Sequence, residues 1–247
     1  FAYGEALCGA LPDINRRLAE AGSGKRYRNL LGYTFGTGFG VGMVVNGQLN
    51  RGDNSCVETF CLPHKTKNGI IVEEGVAVRA VKRVYAELSG DLGHSFEPKD
   101  ICEIADGKRP GDVAAARRAF EEFGETAGDA MAIAAQLIDG IIVIGGGITA
   151  ARHLILPSLL GELRASLSTI GGDSVRRVQM EVFNLDDQAE FEAFARGNSR
   201  RIPVRGTDLT AVYDDMKRIG VTFSRLGASK AISAGAYAFA LSKIDGE

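Results

Sequence analysis

The segment Ile141-Ile142-Val143-Ile144-Gly145-Gly146-Gly147 constrains the fold more than any other stretch of the chain. A short β-branched run bounded by glycines reads as a strand buried on both faces. It opens onto a helical pattern over 153–167, and strands alternating with helices build α/β sheets. Such sheets bind ligands at the carboxyl ends of their strands. Three glycines there would offer a flat wall for an adenine or a ribose. They would serve equally as a plain tight turn into a helix, and the motif alone leaves both readings open. It is not G-x-G-x-x-G, so a dinucleotide fold is a weak reading.

A second glycine-rich motif lies upstream. Leu30 to Phe35 and Phe39 to Val45 read as strands joined by Gly36-Thr37-Gly38, and Asn46-Gly47 then leads into a third strand from Gln48 to Arg51. Asn-Gly between two such runs is a strong hairpin signal. The segment is therefore expected to be a β-meander. Glycines in its first turn would let a phosphate approach the backbone, with Thr37 adding a hydroxyl. A close-packed hairpin without a ligand is the plainer alternative. No Gly-Lys-Ser/Thr follows, so it is not a Walker A loop.

Helical spacing is read over 1–21, with a break or kink at Pro12, and over 76–88, where Val76, Ala80, Val84 and Leu88 share a face. Further helices are expected at 98–105, 111–137 and 228–241, and a strand at 178–183. The hydrophobicity of the long helix falters near Gly124 and Gly128. Residues 184–225 are mixed and charged, with Phe191 and Phe194 anchoring a short helix. The expected fold is a mixed α/β sheet with a β-meander, covered by helices.

A formal net charge of −2 on 247 residues gives no sign of a nucleic-acid or membrane surface. Cys8, Cys56, Cys61 and Cys102 contain no CxxC and read as reduced thiols, which points to the cytoplasm. No apolar run is long enough to span a bilayer. Phe1 opens onto a helical pattern without a basic leader.

Glu58, Cys61 and His64 follow the meander. A carboxylate there suits sugar hydroxyls, and His64 is a candidate hydrogen-bond partner. Cys56, Cys61 and His64 lack zinc-site spacing, so no metal is expected. His94, in a loop, and His153, on a helix face, are isolated and read as structural or solvated. The acidic pairs around Asp186-Asp187 and Asp214-Asp215, with Asp208, and the basic pairs Arg200-Arg201 and Lys217-Arg218, read as exposed surface.

Taken in order, these motifs resemble the ROK family of bacterial sugar kinases and sugar-responsive repressors. The resemblance rests on Phe35 to Gly42, then Asn46-Gly47, Arg51-Gly52, Val57 to Cys61, Val143 to Ile148, and the Gly- and Ala-rich helix around Ala234 to Ala238. It implies an actin-like ATPase (ribonuclease H-like) lobe and ATP- and Mg²⁺-dependent phosphorylation of a hexose or N-acetylhexosamine. It puts Gly36, Thr37 and Gly38 at the ATP phosphates, Gly145, Gly146 and Gly147 beside the adenosine, and Glu58 on sugar hydroxyls. A second sugar-binding glutamate falls at Glu73 or Glu74. Cys61 replaces the family's zinc and sugar histidine, and 65–71 contains no cysteine, so zinc is not expected. The catalytic aspartate is expected upstream of Phe1. Residues 1–247 are accordingly expected to be the C-terminal lobe of a two-lobe protein, inactive alone, with 184–225 an atypical insertion and a homodimer as the assembly. The alternative is the sensor domain of a ROK-type repressor, with nucleic acid as a partner only if a helix-turn-helix precedes it.

Overall fold

In the computed structural model, which describes residues 1–93 and 95–244, the first helical stretch divides into α1 (Ala2–Cys8) and α2 (Ala10–Glu20). The break falls at Gly9 and not at Pro12. Pro12 sits in the first turn of α2, where a missing N–H leaves no intrahelical bond unmade. The fully buried Glu5 secures the break, its Oε2 accepting the Ala10 amide at 2.7 Å. His94 lies outside the described residues.

The meander forms as expected from β1 (Leu30–Phe35), β2 (Phe39–Val45) and β3 (Gln48–Asn50), all antiparallel. Asn46 (φ 53°) and Gly47 (φ 79°) make the second turn, and positive φ at both positions matches the right-handed twist of a hairpin. Next come α3 (Val78–Ser89), α4 (Pro98–Ala105), α5 (Val113–Leu137), β4 (Ile141–Gly145) and α6 (Arg152–Leu163). The inward face of α3 carries Ala80, Val81, Val84 and Tyr85, while Leu88 is exposed. Helix α6 stops short of its expected end, and Ser166–Ser168 instead forms β5, paired with β6 (Ser174–Arg176). The chain finishes with β7 (Glu181–Asn184), α7 (Gln188–Arg196), β8 (Arg200–Pro203), β9 (Thr210–Tyr213), β10 (Arg218–Phe223) and α8 (Ala228–Ile244).

The main sheet has six strands in the order β3-β2-β1-β4-β10-β7, parallel from β1 through β7 and antiparallel in the meander. Alternate side chains leave opposite faces of a strand. Leu31, Tyr33, Phe35, Ile142 and Ile144 join a core with residues of α3, α4, α5 and α6, including Tyr85, Ile101, Phe120 and Leu159. Leu30, Ile141 and Val143 join the opposite core with Ile14, Leu18, Phe191 and Phe194 of α2 and α7. Helix α1 lies on β1 and β2, where a Cβ at Gly32 would stand 2.6 Å from the Ala2 methyl.

Residues 184–225 are not a single excursion. β10 runs through their end as a wholly buried central strand between β4 and β7, and α7 carries three buried residues into the second core. The β8–β9 hairpin alone in this stretch is exposed at every residue of both strands. Arg218, read as surface, is buried, with Nη1 on Asp214 at 2.6 Å and its guanidinium against the Phe194 ring. Asp186 is exposed, as read, yet it is tied to β10, accepting from Thr222 Oγ1 at 2.8 Å and the Phe223 amide at 3.0 Å. Among the described residues no helix is long and apolar enough to cross a membrane.

Candidate functional site

The carboxyl ends of β1 and β4 are neighbours in the parallel part of the sheet, so the two glycine-rich motifs meet. They line one cleft of about 440 Å³, with Gly36, Thr37, Gly38, Gly146 and Gly147 on its walls beside Glu58, Phe60 and Glu73. Gly145 lies just beneath as the buried last residue of β4, and an added Cβ would stand 2.6 Å from the Phe1 ring. A larger cavity of about 620 Å³, lined by Leu163, Val178, Met180 and Phe183 together with Arg164, Arg176, Glu181 and Glu190, lies beside β7 and holds none of the motif residues. The chemistry-bearing cleft is therefore the smaller one, which holds the glycine motifs together with Glu58 and Glu73.

Each wall is built by local chemistry. Gly146 has φ 101° and ψ 168°, a backbone conformation that glycine alone tolerates, and an added Cβ would meet the Phe35 carbonyl oxygen at 2.1 Å. Glycine thus lets the β4 turn rest on the end of β1. The Gly146 carbonyl accepts from Thr149 Oγ1 at 2.6 Å, which fixes the entry to α6. Gly36 and Gly147 differ, since a Cβ at either would meet nothing within 4 Å. Open space at these two positions fits a ligand laid against the backbone.

The opposite wall is anionic. Glu73 Oε2 accepts the Phe39 amide at 3.0 Å, and Arg79 Nη2 donates to Glu73 Oε1 at 2.9 Å. These two hydrogen bonds, the amide first, hold the Glu73 carboxyl below the usual glutamate range, so it is an anion at neutral pH. Arg79 also donates to the Thr37 carbonyl at 3.1 Å and so braces the Gly36–Gly38 turn. Glu58 is exposed, with Oε2 accepting the Val41 amide at 3.2 Å. The sequence leaves Glu73 and Glu74 unresolved, but the turn Val72–Gly75 separates them. Glu73 enters the cleft, whereas Glu74 pairs with Arg79 at 2.7 Å and is not among the lining residues. Arg79 was missed altogether, and its one sequence signal was a cation in the first turn of α3, shortly after two glutamates.

His64 is not brought to the cleft. Its Nδ1 accepts the Thr66 amide at 3.2 Å, and its Nε2 stands 2.6 Å from where a Gly75 Cβ would lie. Partial burial, and then the Lys67 and Arg83 charges, lower its pKa. It therefore sits behind the Glu73 turn as a neutral ring at pH 7. His153, isolated in the sequence, in fact pairs with Asp106 at 2.8 Å.

The profile of the ROK family matches residues 7–171. Glucokinase from Parabacteroides distasonis ATCC 8503 is 55% identical and superposes with a TM-score of 0.91 over 98% of this chain and 66% of its own. The ROK hexokinase from Thermus thermophilus is 15% identical, with a TM-score of 0.56 over 96% of this chain and 61% of its own. A ROK family transcriptional regulator, a homolog of the E. coli MLC protein, is 17% identical, with a TM-score of 0.58 over 95% of this chain and 48% of its own. These last two likenesses show the fold alone, the actin-like ATPase architecture implied by the family resemblance. The chain spans 66% of the length of the Parabacteroides glucokinase. None of the curated proteins matches it.

Proposed function

The chain belongs to the ROK family, and from that membership we propose that the protein carrying it transfers a phosphoryl group from ATP to a hydroxyl of a hexose or N-acetylhexosamine. One observation carries the reading: the Gly36–Gly38 turn, the Gly146-Gly147 wall and the carboxylates Glu58 and Glu73 share a single cleft. Phosphoryl transfer depends mainly on positioning and electrostatics, so a site that joins a backbone cradle to fixed acceptors suits it.

In this reading the Gly36-Thr37-Gly38 turn holds the ATP phosphates, and Gly145, Gly146 and Gly147 lie beside the adenosine. Open space at Gly36 and Gly147 fits that use. Magnesium-bound ATP supplies the phosphoryl group and brings the cation that neutralises its phosphates. Glu58 and Glu73 accept hydrogen bonds from sugar hydroxyls. Arg79 is the positioning partner of Glu73, helping the Phe39 amide keep it ionised, and braces the phosphate turn. His64 acts from behind by seating the turn that carries Glu73. The protein works in the cytoplasm as a homodimer, in keeping with free thiols at Cys8, Cys56, Cys61 and Cys102.

A coupled ADP-release assay on the intact protein, with hexoses and N-acetylhexosamines in turn, tests the reading. Turnover with one sugar establishes the activity and names the substrate. Absence of turnover with every sugar overturns it, and calorimetric sugar binding in that case would assign the protein to sugar sensing.

A further inference from the structure

We propose that Cys102, Asp106 and His153 form a binding site for a divalent transition-metal ion of the zinc class, separate from the glycine-lined cleft. Among the described residues they are the one group of three or more His, Cys, Asp or Glu side chains whose donor atoms all lie within 4.8 Å of one another. The cysteines and histidine that follow the meander, Cys56, Cys61 and His64, do not come together in this way.

Helical spacing assembles the site. Cys102 and Asp106 stand four residues apart at the end of α4, on one face, and His153 reaches them from the first turn of α6. His153 Nε2 lies 2.8 Å from Asp106 Oδ1, while Asp106 Oδ2 takes Lys108 Nζ at 2.8 Å. One carboxylate oxygen thus faces the histidine and the other is already oriented by a lysine, the arrangement that aims a metal-ligating carboxylate. The carboxyl end of α4 carries partial negative charge, which favours a cation there.

Mixed sulfur, nitrogen and oxygen donors select zinc or a neighbouring transition metal over magnesium. Four-coordinate zinc, with Zn–S about 2.3 Å and Zn–N or Zn–O about 2.0–2.1 Å, sets its donors about 3.3–3.8 Å apart. Donors now within 4.8 Å reach that spacing by side-chain adjustment. Half of the His153 side chain is exposed (51%), so an ion has a route in from solvent, and water completes the shell. On binding, the ion replaces the hydrogen bond between His153 and Asp106. The neutral imidazole then carries its proton on Nδ1, and the Cys102 thiol gives up its proton to solvent as the thiolate joins the ion.

Because α6 follows the Gly145–Gly147 turn after one short 3-10 segment, Gly147–Ala151, a bound ion would fasten the helix behind that turn to α4. The test uses Co²⁺ and Zn²⁺ alone on the intact protein, without nucleotide or sugar. One equivalent of Co²⁺ should give a thiolate-to-cobalt charge-transfer band, displaced by Zn²⁺ and untouched by excess Mg²⁺. Cys102→Ser should abolish the band. His153→Gln, a change at a half-exposed side chain that leaves the core alone, should weaken binding at least about tenfold. Cys56→Ser and Cys61→Ser should leave the band intact. No band, a band that survives Cys102→Ser, one lost with Cys56 or Cys61, or unchanged affinity in His153→Gln would each overturn the proposal. None of these readouts depends on sugar phosphorylation.

Discussion

At the scale of the residue, neighbouring glycines in the β4 turn do different work. Gly146 is required by the fold, because its φ of 101° and the Phe35 carbonyl at 2.1 Å exclude a side chain. Gly146→Ala should destabilise the protein by about 3 kcal/mol or more, from backbone strain and overpacking together. At Gly147 the space is open, so Gly147→Ala should change stability by no more than about 0.5 kcal/mol. It should nevertheless weaken ATP binding about tenfold, about 1.4 kcal/mol, if the adenosine rests on that wall. Denaturant melts and calorimetry on the pair separate the two roles, and equal loss of stability in both variants would contradict the division. Glu73 offers a pH test. Its carboxyl lies below the ordinary range in the folded protein, so its stabilising contribution is complete above the unfolded glutamate pKa and fades as pH falls through the folded value. Arg79→Ala should move the Glu73 carboxyl back up toward the ordinary range, read by carbon-detected NMR titration. An unmoved titration would mean that the Phe39 amide alone holds the charge.

At the scale of the element, local pattern and fold agree where neighbours in sequence are neighbours in space. The meander, α4 and β4 have the periods and turn residues that their environments demand. β10 was hidden because Arg218-Ile219-Gly220-Val221-Thr222-Phe223 begins with a charge and sits in a charged stretch, and what makes it a strand is non-local pairing with β4 and β7. Arg218 is admitted to the interior only because Asp214, four residues before it, goes in with it. The site was legible as glycine motifs and a glutamate. Arg79 was not, since its partners are fixed by how the Val72–Gly75 turn folds and not by spacing. Gly124 and Gly128 looked like weak points in the long helix, yet α5 runs unbroken through them. Their role is the close approach of α6: a Cβ at Gly124 would meet the Ile155 carbonyl oxygen at 2.5 Å, and one at Gly128 the Leu159 carbonyl oxygen at 2.7 Å. Helix propensity alone would favour alanine at either site by about 1 kcal/mol. Gly128→Ala should instead cost about 1–3 kcal/mol by urea melting, as α6 is pushed outward. A stabilised variant would show that propensity outweighs packing there.

At the scale of the whole molecule, separate parts of the chain are joined by one mostly buried charge cluster. Arg177, in the segment between β6 and β7, pairs with Asp129 of α5 and Glu162 of α6, and Lys65 reaches Glu162 from the loop that carries His64. Burying charges is costly, so such a cluster holds only while each member keeps its partners. The Arg177 side chain is 12% exposed and Lys65 33%, which sets their unequal importance. Arg177→Met should leave Asp129 and Glu162 apposed without a shared cation and cost about 3–5 kcal/mol. Lys65→Ala should cost about 1 kcal/mol or less, because water screens a partly exposed pair. Replacing Asp129 by Asn and Glu162 by Gln in the Arg177→Met background should recover much of the loss, since the buried charges leave together. Urea melts of the three proteins decide the matter. If Arg177→Met cost no more than Lys65→Ala, the cluster would carry little energy, and the α5–α6 pair would rest on its apolar and glycine contacts alone. If the triple variant stayed as unstable as the single one, the loss would belong to the arginine's own packing, because removing the carboxylate charges would have relieved nothing.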